Sequence, residues 1–459
     1  MISTDLRLRL SALQGDPGFR LGPRRKSAAV PQPGLSSPPG FLGGLADLGF
    51  GWDEERGILL RRARIPLEKA GLVPARLQWP SLSPISSSVP RTGPLSLLCF
   101  DLETTGLQRG AGTVPFLYGW ASYREGATAV LVEQWLLPEL GEEAPLVRAA
   151  LGELAQASLL VTYNGSSYDL PLLRTRMVMT GVDRAWPAVP HLDLLPVVRR
   201  LFRHRLERCT LRAVEEALLD EHRDHDLPGR EAPERYWHFL ETRDCGPLLE
   251  VVRHNQQDVV SLLAVLQRLG RHLDCDGPAP TDWLSLGRFV ESRGDLAAAR
   301  TAYERAETLS PPPLDRAAVL RRARMLKREG RIDEATKAWR SAWERWRDPE
   351  AAEALCVDLE HRLREPALAL ELARDALREA STGWDQRFAR RIWRLSSKLG
   401  RGGAPATDER ALRTLSEPER PWATWLPGGE SYEAWLALHR GRGAGEGATA
   451  RTRGVTRAS

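Results

Sequence analysis

Two carboxylates one residue apart close a compact apolar run. Leu95 to Phe100 reads LSLLCF and is followed by Asp101-Leu102-Glu103-Thr104-Thr105-Gly106. The run predicts a buried strand. Alternation along a strand sends Asp101 and Glu103 to one face. Two like charges aimed at one point are costly unless something positive meets them. A hard divalent cation, Mg2+ or Mn2+, suits such oxygen ligands. A lone D-x-E at a strand end also describes two solvated acids, so the rest of the chain has to decide.

Two more acids stand in suggestive places. Asp169 follows the turn in YNGSSYD, and Asp258 lies in HNQQD. With Asp101 and Glu103 they supply carboxylates for two divalent ions, the arrangement that drives phosphodiester hydrolysis. His254 precedes Asp258 by one helical turn and shares its face. Its near-neutral ordinary pKa suits it to take a proton from an attacking water. Each residue alone has a plainer reading: Asp169 as a helix N-cap, His254 as a surface histidine, Asp258 as an exposed helix acid. The case rests on the order and type of the three segments together.

Weaker candidates surround these. Asn164 is expected either to bind substrate or to cap the next helix. Asp193, in HLDLL, either supports the metal ligands from behind or starts a helix. Thr104, Thr105 and Gly106 would let a turn approach the terminal nucleotide closely. Arg174 and Arg176 are expected on a solvated helix face, with phosphate contact as the alternative. His222 and His225, in HRDH, have nothing nearby to complete a zinc site.

The elements that must position these groups follow in order. Residues 1–48 read as a flexible basic, Pro-rich tail holding the cluster Arg24-Arg25-Lys26. Residues 50–94 hold one or two short strands and a Pro/Ser-rich linker. From 95 to 275 a mixed α/β domain is predicted, with strands at Leu95–Phe100, Phe116–Ser122, Ala129–Trp135 and Leu159–Tyr163. A glycine-rich turn runs from Gly106 to Gly112. Helical spacing covers Pro145–Ala157, Asp169–Thr180, Leu211–Leu219 and Leu248–Leu273. From 281 to 400 the markers Trp283, Leu286, Gly287, Ala299, Tyr303, Ala306 and Pro311 fit a tetratricopeptide pattern. It returns at Gly330, Ala335, Trp339 and Ala342, and again at Ala369, Ala373 and Ala376. Residues 401–459 read as a Gly/Arg-rich, mostly disordered tail with one short helix at Trp422–Leu438.

Composition sets the outer limits. The 459 residues allow two or three domains, and a hydrophobic fraction of 42% supports real cores. The net charge of +5 is compatible with a polyanionic partner without requiring one. Five scattered cysteines without a CxxC pair argue against a zinc site or a disulfide frame. No apolar run reaches membrane-spanning length and no signal peptide is evident, so a cytoplasmic protein is expected.

DLETTGL, YNGSSYDLPLLRTR and HNQQDVVSL resemble, in that order, the three exonuclease motifs of the DEDD superfamily. The stretch from about 50 to 275 is similar to the YprB-like family of predicted exonucleases, through GAGTVPFLYG, HLDLL and DLPGREAPERYWHFL. The resemblance implies a ribonuclease-H-like fold, often followed by a tetratricopeptide-like region. It places the metal carboxylates on Asp101, Glu103, Asp169 and Asp258, and the water-orienting position on His254. There is one departure. The histidine branch of the superfamily usually sets its histidine five residues before the last aspartate, and the branch with four-residue spacing usually carries tyrosine. Here histidine stands at the tyrosine spacing, about 100° of helix rotation from the other position. Its role is therefore open between accepting a proton and hydrogen-bonding the water or a phosphate oxygen.

The function expected is a two-metal-dependent exonuclease acting at a 3′ end of DNA or RNA, with a protein partner on the repeats and no membrane. Two alternatives stand beside it: a nucleic-acid-binding scaffold acting through its repeats, and a structure-selective endonuclease on the same fold.

Overall fold

A computed structural model describes residues 42–400, apart from 75–76, 78–81, 83–84, 91, 107–111 and 224–226. The expected tails up to residue 41 and beyond 400, the Arg24-Arg25-Lys26 cluster, the helix at Trp422–Leu438, most of the glycine-rich turn and His225 lie outside the described residues. The chain divides into two compact units, Met1–Ala279 and Pro280–Ser459.

The first unit begins earlier than its sequence suggests. Residues assigned to the tail form a helix, α1 (Leu42–Asp47), whose Leu45 is fully buried. Seven strands follow: β1 (Phe50–Asp53), β2 (Ile58–Pro66), β3 (Ser96–Thr104), β4 (Pro115–Arg124), β5 (Ala129–Leu136), β6 (Leu159–Thr162) and β7 (His191–Asp193). They make one sheet in the order β1-β2-β5-β4-β3-β6-β7. Neighbours from β1 to β3 are antiparallel, whereas β6 and β7 run parallel to β3. This is the mixed sheet of a ribonuclease-H-like domain, widened on one side by the β1–β2 hairpin. β6, with all four residues buried, reads LLVT, as a parallel strand covered on both faces should.

Helices α2 (Glu143–Gln156), α3 (Asp169–Met179), α4 (Leu194–Phe202), α5 (Leu211–Val214), α6 (Glu231–Thr242) and α7 (Leu248–Leu273) complete the unit. α5 runs into a π turn at Glu215–Leu219. α7 lies across β3, β4 and β5. Its buried positions Leu248, Val251, Val252, Asn255, Val259, Leu262, Leu263 and Leu266 recur at helical spacing. Asn255 is the polar member of this row. The core includes stacked pairs Phe100–Trp120 and Phe116–Tyr236, each with ring centroids 4.2 Å apart.

Arg176 departs from expectation. It lies neither on a solvated face nor within reach of a phosphate. It is buried, and its guanidinium forks onto the buried carboxylate of Glu143 through two bonds of 2.5 Å, tying α3 to α2. A buried arginine needs such a partner. Arg174 is exposed and lies over the Trp186 ring at 4.4 Å.

Among the described residues the second unit is all helix: α8 (Trp283–Glu291), α9 (Leu296–Leu309), α10 (Leu314–Arg328), α11 (Ile332–Trp346), α12 (Pro349–His361), α13 (Pro366–Glu379) and α14 (Trp384–Gly400). Consecutive helices pack on one another. The buried faces carry Ala299, Ala306, Ala335, Ala342, Ala369, Ala373 and Ala376. A Cβ on Gly287 would lie 2.5 Å from the Tyr303 ring, so α8 and α9 touch where only glycine fits.

Candidate active site

The tip of β3, the start of α3 and the middle of α7 bring Asp101, Glu103, Asp169, Asp258 and His254 together. Asp101 and Glu103 leave β3 on the same face, and the register of β3 against β4 shifts just after Glu103. Such a bulge bends the strand and re-aims the chain. Beyond it Thr105 bonds back to Val114 through both backbone and hydroxyl. Thr104 Oγ1 donates to the Gly106 carbonyl at 2.8 Å and shares a 3.1 Å hydrogen bond with the Tyr168 hydroxyl. Both threonine hydroxyls therefore hold the turn, and Tyr168 ties the first motif to the second.

A polar row crosses the sheet behind Asp101. Asp101 pairs with Gly119, Gly119 with Gln134, and Gln134 with Arg61. Asn255 of α7 drops into the gap left by Gly119, where a Cβ would stand 2.2 Å from its Oδ1. Asn255 Nδ2 donates to Asp101 Oδ2 at 3.0 Å. Gln134 Nε2 donates to Asn255 Oδ1 at 2.9 Å, and Arg61 donates to Gln134 Oε1 at 2.7 Å. Gln134 and Asn255 are fully buried, so each amide has to be satisfied this way.

The second motif is held by Asp193. Its carboxylate accepts from the backbone N–H groups of Asn164 (2.8 Å), Ser166 (3.1 Å) and Leu195 (3.1 Å). It thus caps α4 and pins the turn leading to Asp169. Asn164 adopts a left-handed backbone, with φ 65°, and does not cap α3, whose N-cap is Tyr168. Asp169 is the first helical residue and is buried.

On α7, His254 Nε2 lies 3.5 Å from Asp258 Oδ2 and 4.0 Å from Glu103 Oε1. Asp258 Oδ1 accepts from Arg223 at 2.5 Å. The cluster of acids thus has one arginine at its edge. A cavity of about 740 Å³ opens beside His254 and Arg223, with Lys69, Arg253 and Glu250 also in its wall.

Electrostatics favour the neutral form of all four acids. Burial raises the pKa of Asp101 and Glu103 well above the carboxylate range, and repulsion from Asp258 and Asp169 adds to it. The Asn255 hydrogen bond works the other way on Asp101. Burial also raises Asp258, against the pull of His254 and Arg223. Asp169 is raised to about 7, again chiefly by burial, despite backbone hydrogen bonds from its own N–H and that of Leu102. Hard carboxylate donors, desolvated and repelling one another, fit divalent cations in kind. Among the described residues, no three His, Cys, Asp or Glu groups are already drawn into a set able to grip an ion.

Residue spacing alone does not point to Tyr168, Gly119, Gln134, Asn255, Arg61, Arg223 or Glu215. Two of them leave a trace. Asn255 is a polar residue at a core position of an amphipathic helix, and Gly119 interrupts an apolar strand, where close approach is a standard reason. His222 is exposed; the residue beside it, Arg223, is the one that reaches the acids.

The match to a family model agrees with this architecture. A family described as belonging to the RNase_H superfamily matches residues 98–270. The chain is 33% identical over 296 residues to the protein YprB of Bacillus subtilis (strain 168), covering 62% of this chain and 70% of that one. It is also similar to the family B DNA polymerase of the archaeon Pyrobaculum calidifontis, at 18% identity and a TM-score of 0.33, covering 48% of this chain and 29% of the polymerase. Among the described residues no helix is long and apolar enough to cross a membrane. By the extent and identity of its match to the Bacillus protein, the chain belongs to the YprB-like family within the RNase_H superfamily.

Proposed function

We propose that the protein is a two-metal-ion-dependent nuclease of the DEDD type that removes nucleotides from the 3′ end of DNA or RNA. One observation carries the reading: acids from β3, α3 and α7 converge in a desolvated cluster that raises the pKa of each. Asp101, Glu103, Asp169 and Asp258 would hold Mg2+ or Mn2+. Bound ions of this kind activate a water and offset charge on the leaving oxygen. The chain's own groups orient the rest. Asn255 aims Asp101, and Asp193 fixes the turn that presents Asp169. His254 faces the cluster from α7, and the Thr104–Gly106 turn with Asn164 would line the path of the terminal nucleotide. The cavity beside His254 gives a strand room to enter. The alanine-lined helices of the second unit are proposed as tetratricopeptide-like repeats that hold a protein partner, and the protein as cytoplasmic.

The test uses purified protein with Mg2+ or Mn2+ on matched DNA and RNA oligonucleotides. A 3′-accessible strand should shorten stepwise, and Asp101→Ala should abolish this. Cleavage of a circular or end-blocked strand would instead assign endonuclease action. If wild type and variant are equally inert on every substrate with both metals, the enzymatic reading fails.

A further inference from the structure

Arg223 lies between the π turn at Glu215–Leu219 and α6, and its guanidinium is committed on several sides. Nε and Nη2 fork onto the two oxygens of Glu215 at 2.7 Å each. Glu215 is fully buried, so this pair is a fixed anchor and not a surface contact. Nη2 also donates to Asp258 Oδ1 at 2.5 Å. Nη1 lies 3.2 Å from His254 Nδ1.

The last contact has a chemical consequence. A guanidinium carries donors only and keeps its charge at any working pH. Across the Arg223–His254 contact, Nδ1 must therefore be the acceptor. A neutral imidazole with a bare Nδ1 bears its proton on Nε2. Nε2 is the nitrogen that faces Asp258 Oδ2 and Glu103.

We propose that Arg223, anchored by Glu215, is a positioning residue that holds His254 as the Nε2–H tautomer and engages one oxygen of Asp258. His254 then meets the reacting centre as a hydrogen-bond donor, to a water or a phosphate oxygen, and does not take the proton from the attacking water. Asp258 presents its other oxygen to the same centre. The word "reacting" rests on the hydrolytic reading above; the tautomer does not.

The experiment reads the tautomer directly in the full-length, metal-free protein with isotope-labelled histidine. A two-bond proton–nitrogen correlation is recorded at about pH 8.5, above the ordinary imidazole range. The His254 signals are those lost in His254→Gln. The expected spectrum shows a bare Nδ1 and a protonated Nε2. Arg223→Gln should move the ring toward the Nδ1–H form, and Arg223→Lys should restore part of the wild-type pattern. A wild-type ring protonated on Nδ1 overturns the proposal, whether or not any variant folds. So does a folded Arg223→Gln protein with an unchanged tautomer. In the oligonucleotide assay Arg223→Gln should lower kcat about 10–100-fold with KM little changed. An inert wild type with the expected tautomer would leave the positioning role standing and remove the hydrolytic one.

Discussion

Asp169 shows most plainly what the cluster costs and what would relieve it. Its carboxyl is held at about 7, chiefly by burial, with Asp193 and Asp258 pushing the same way. The unfolded value is near 3.9, so the fold favours the neutral form. That stabilising contribution is complete below about pH 4 and is lost as pH rises through the folded value. Above neutrality the metal-free chain holds a buried, repelled carboxylate, and on the proposed reading a divalent cation would offset its charge. Calorimetric titration with Mn2+ should therefore show affinity falling as pH drops from about 8 to 6, with proton release on binding near neutrality. The thermal midpoint of the metal-free protein should fall between about pH 4 and 7, and this fall should shrink in Asp169→Asn. Midpoints that fall alike in both proteins would take Asp169 out of the account.

At the scale of elements, the site depends on how closely α7 approaches the sheet. Asn255 reaches Asp101 because Gly119 leaves the space, and because Gln134 and Arg61 complete the row of polar groups. Gly119→Ala would place a methyl 2.2 Å from Asn255 Oδ1. Moving Asn255 aside gives up its bonds to Asp101 and to the buried Gln134 amide, which is left with the Val252 carbonyl. Overpacking of this kind costs about 1–3 kcal/mol. Denaturant unfolding should register that loss, and the oligonucleotide assay should show a larger loss of rate than of substrate affinity, since Asp101 loses its aim. A variant with wild-type stability and rate would show that the row does no positioning. The same scale explains two helices that contain a proline. α4 and α6 carry Pro196 and Pro233. Both fall in a first helical turn, where the missing N–H is not needed.

For the whole molecule, the chain divides into two compact units, and each holds a cluster of buried apolar side chains: one includes Phe100, Trp120 and Tyr236, the other Ala335, Trp339 and Ala373. Units with their own cores should unfold separately. Scanning calorimetry is expected to resolve two transitions, with Mn2+ raising only one of them. Asp101→Asn should remove that shift and leave the other transition untouched. A single transition moved as a whole by the metal would mean that the units unfold together.

The sequence by itself determined the pattern of elements: the apolar run ending in Asp101 and Glu103, the long helix carrying His254 and Asp258, and the change to an all-helical region near residue 281. These features are local, written in alternation, helical period and turn residues within short windows. The tertiary structure alone decided what stands behind and beside the acids. Arg176 pairs inward with Glu143, Asn255 fills the space at Gly119, and Arg223 joins Glu215 to Asp258 and His254. All of these but the Arg223–Glu215 pair link residues far apart along the chain, and an arginine or asparagine carries no mark of which distant partner will satisfy it once water is excluded.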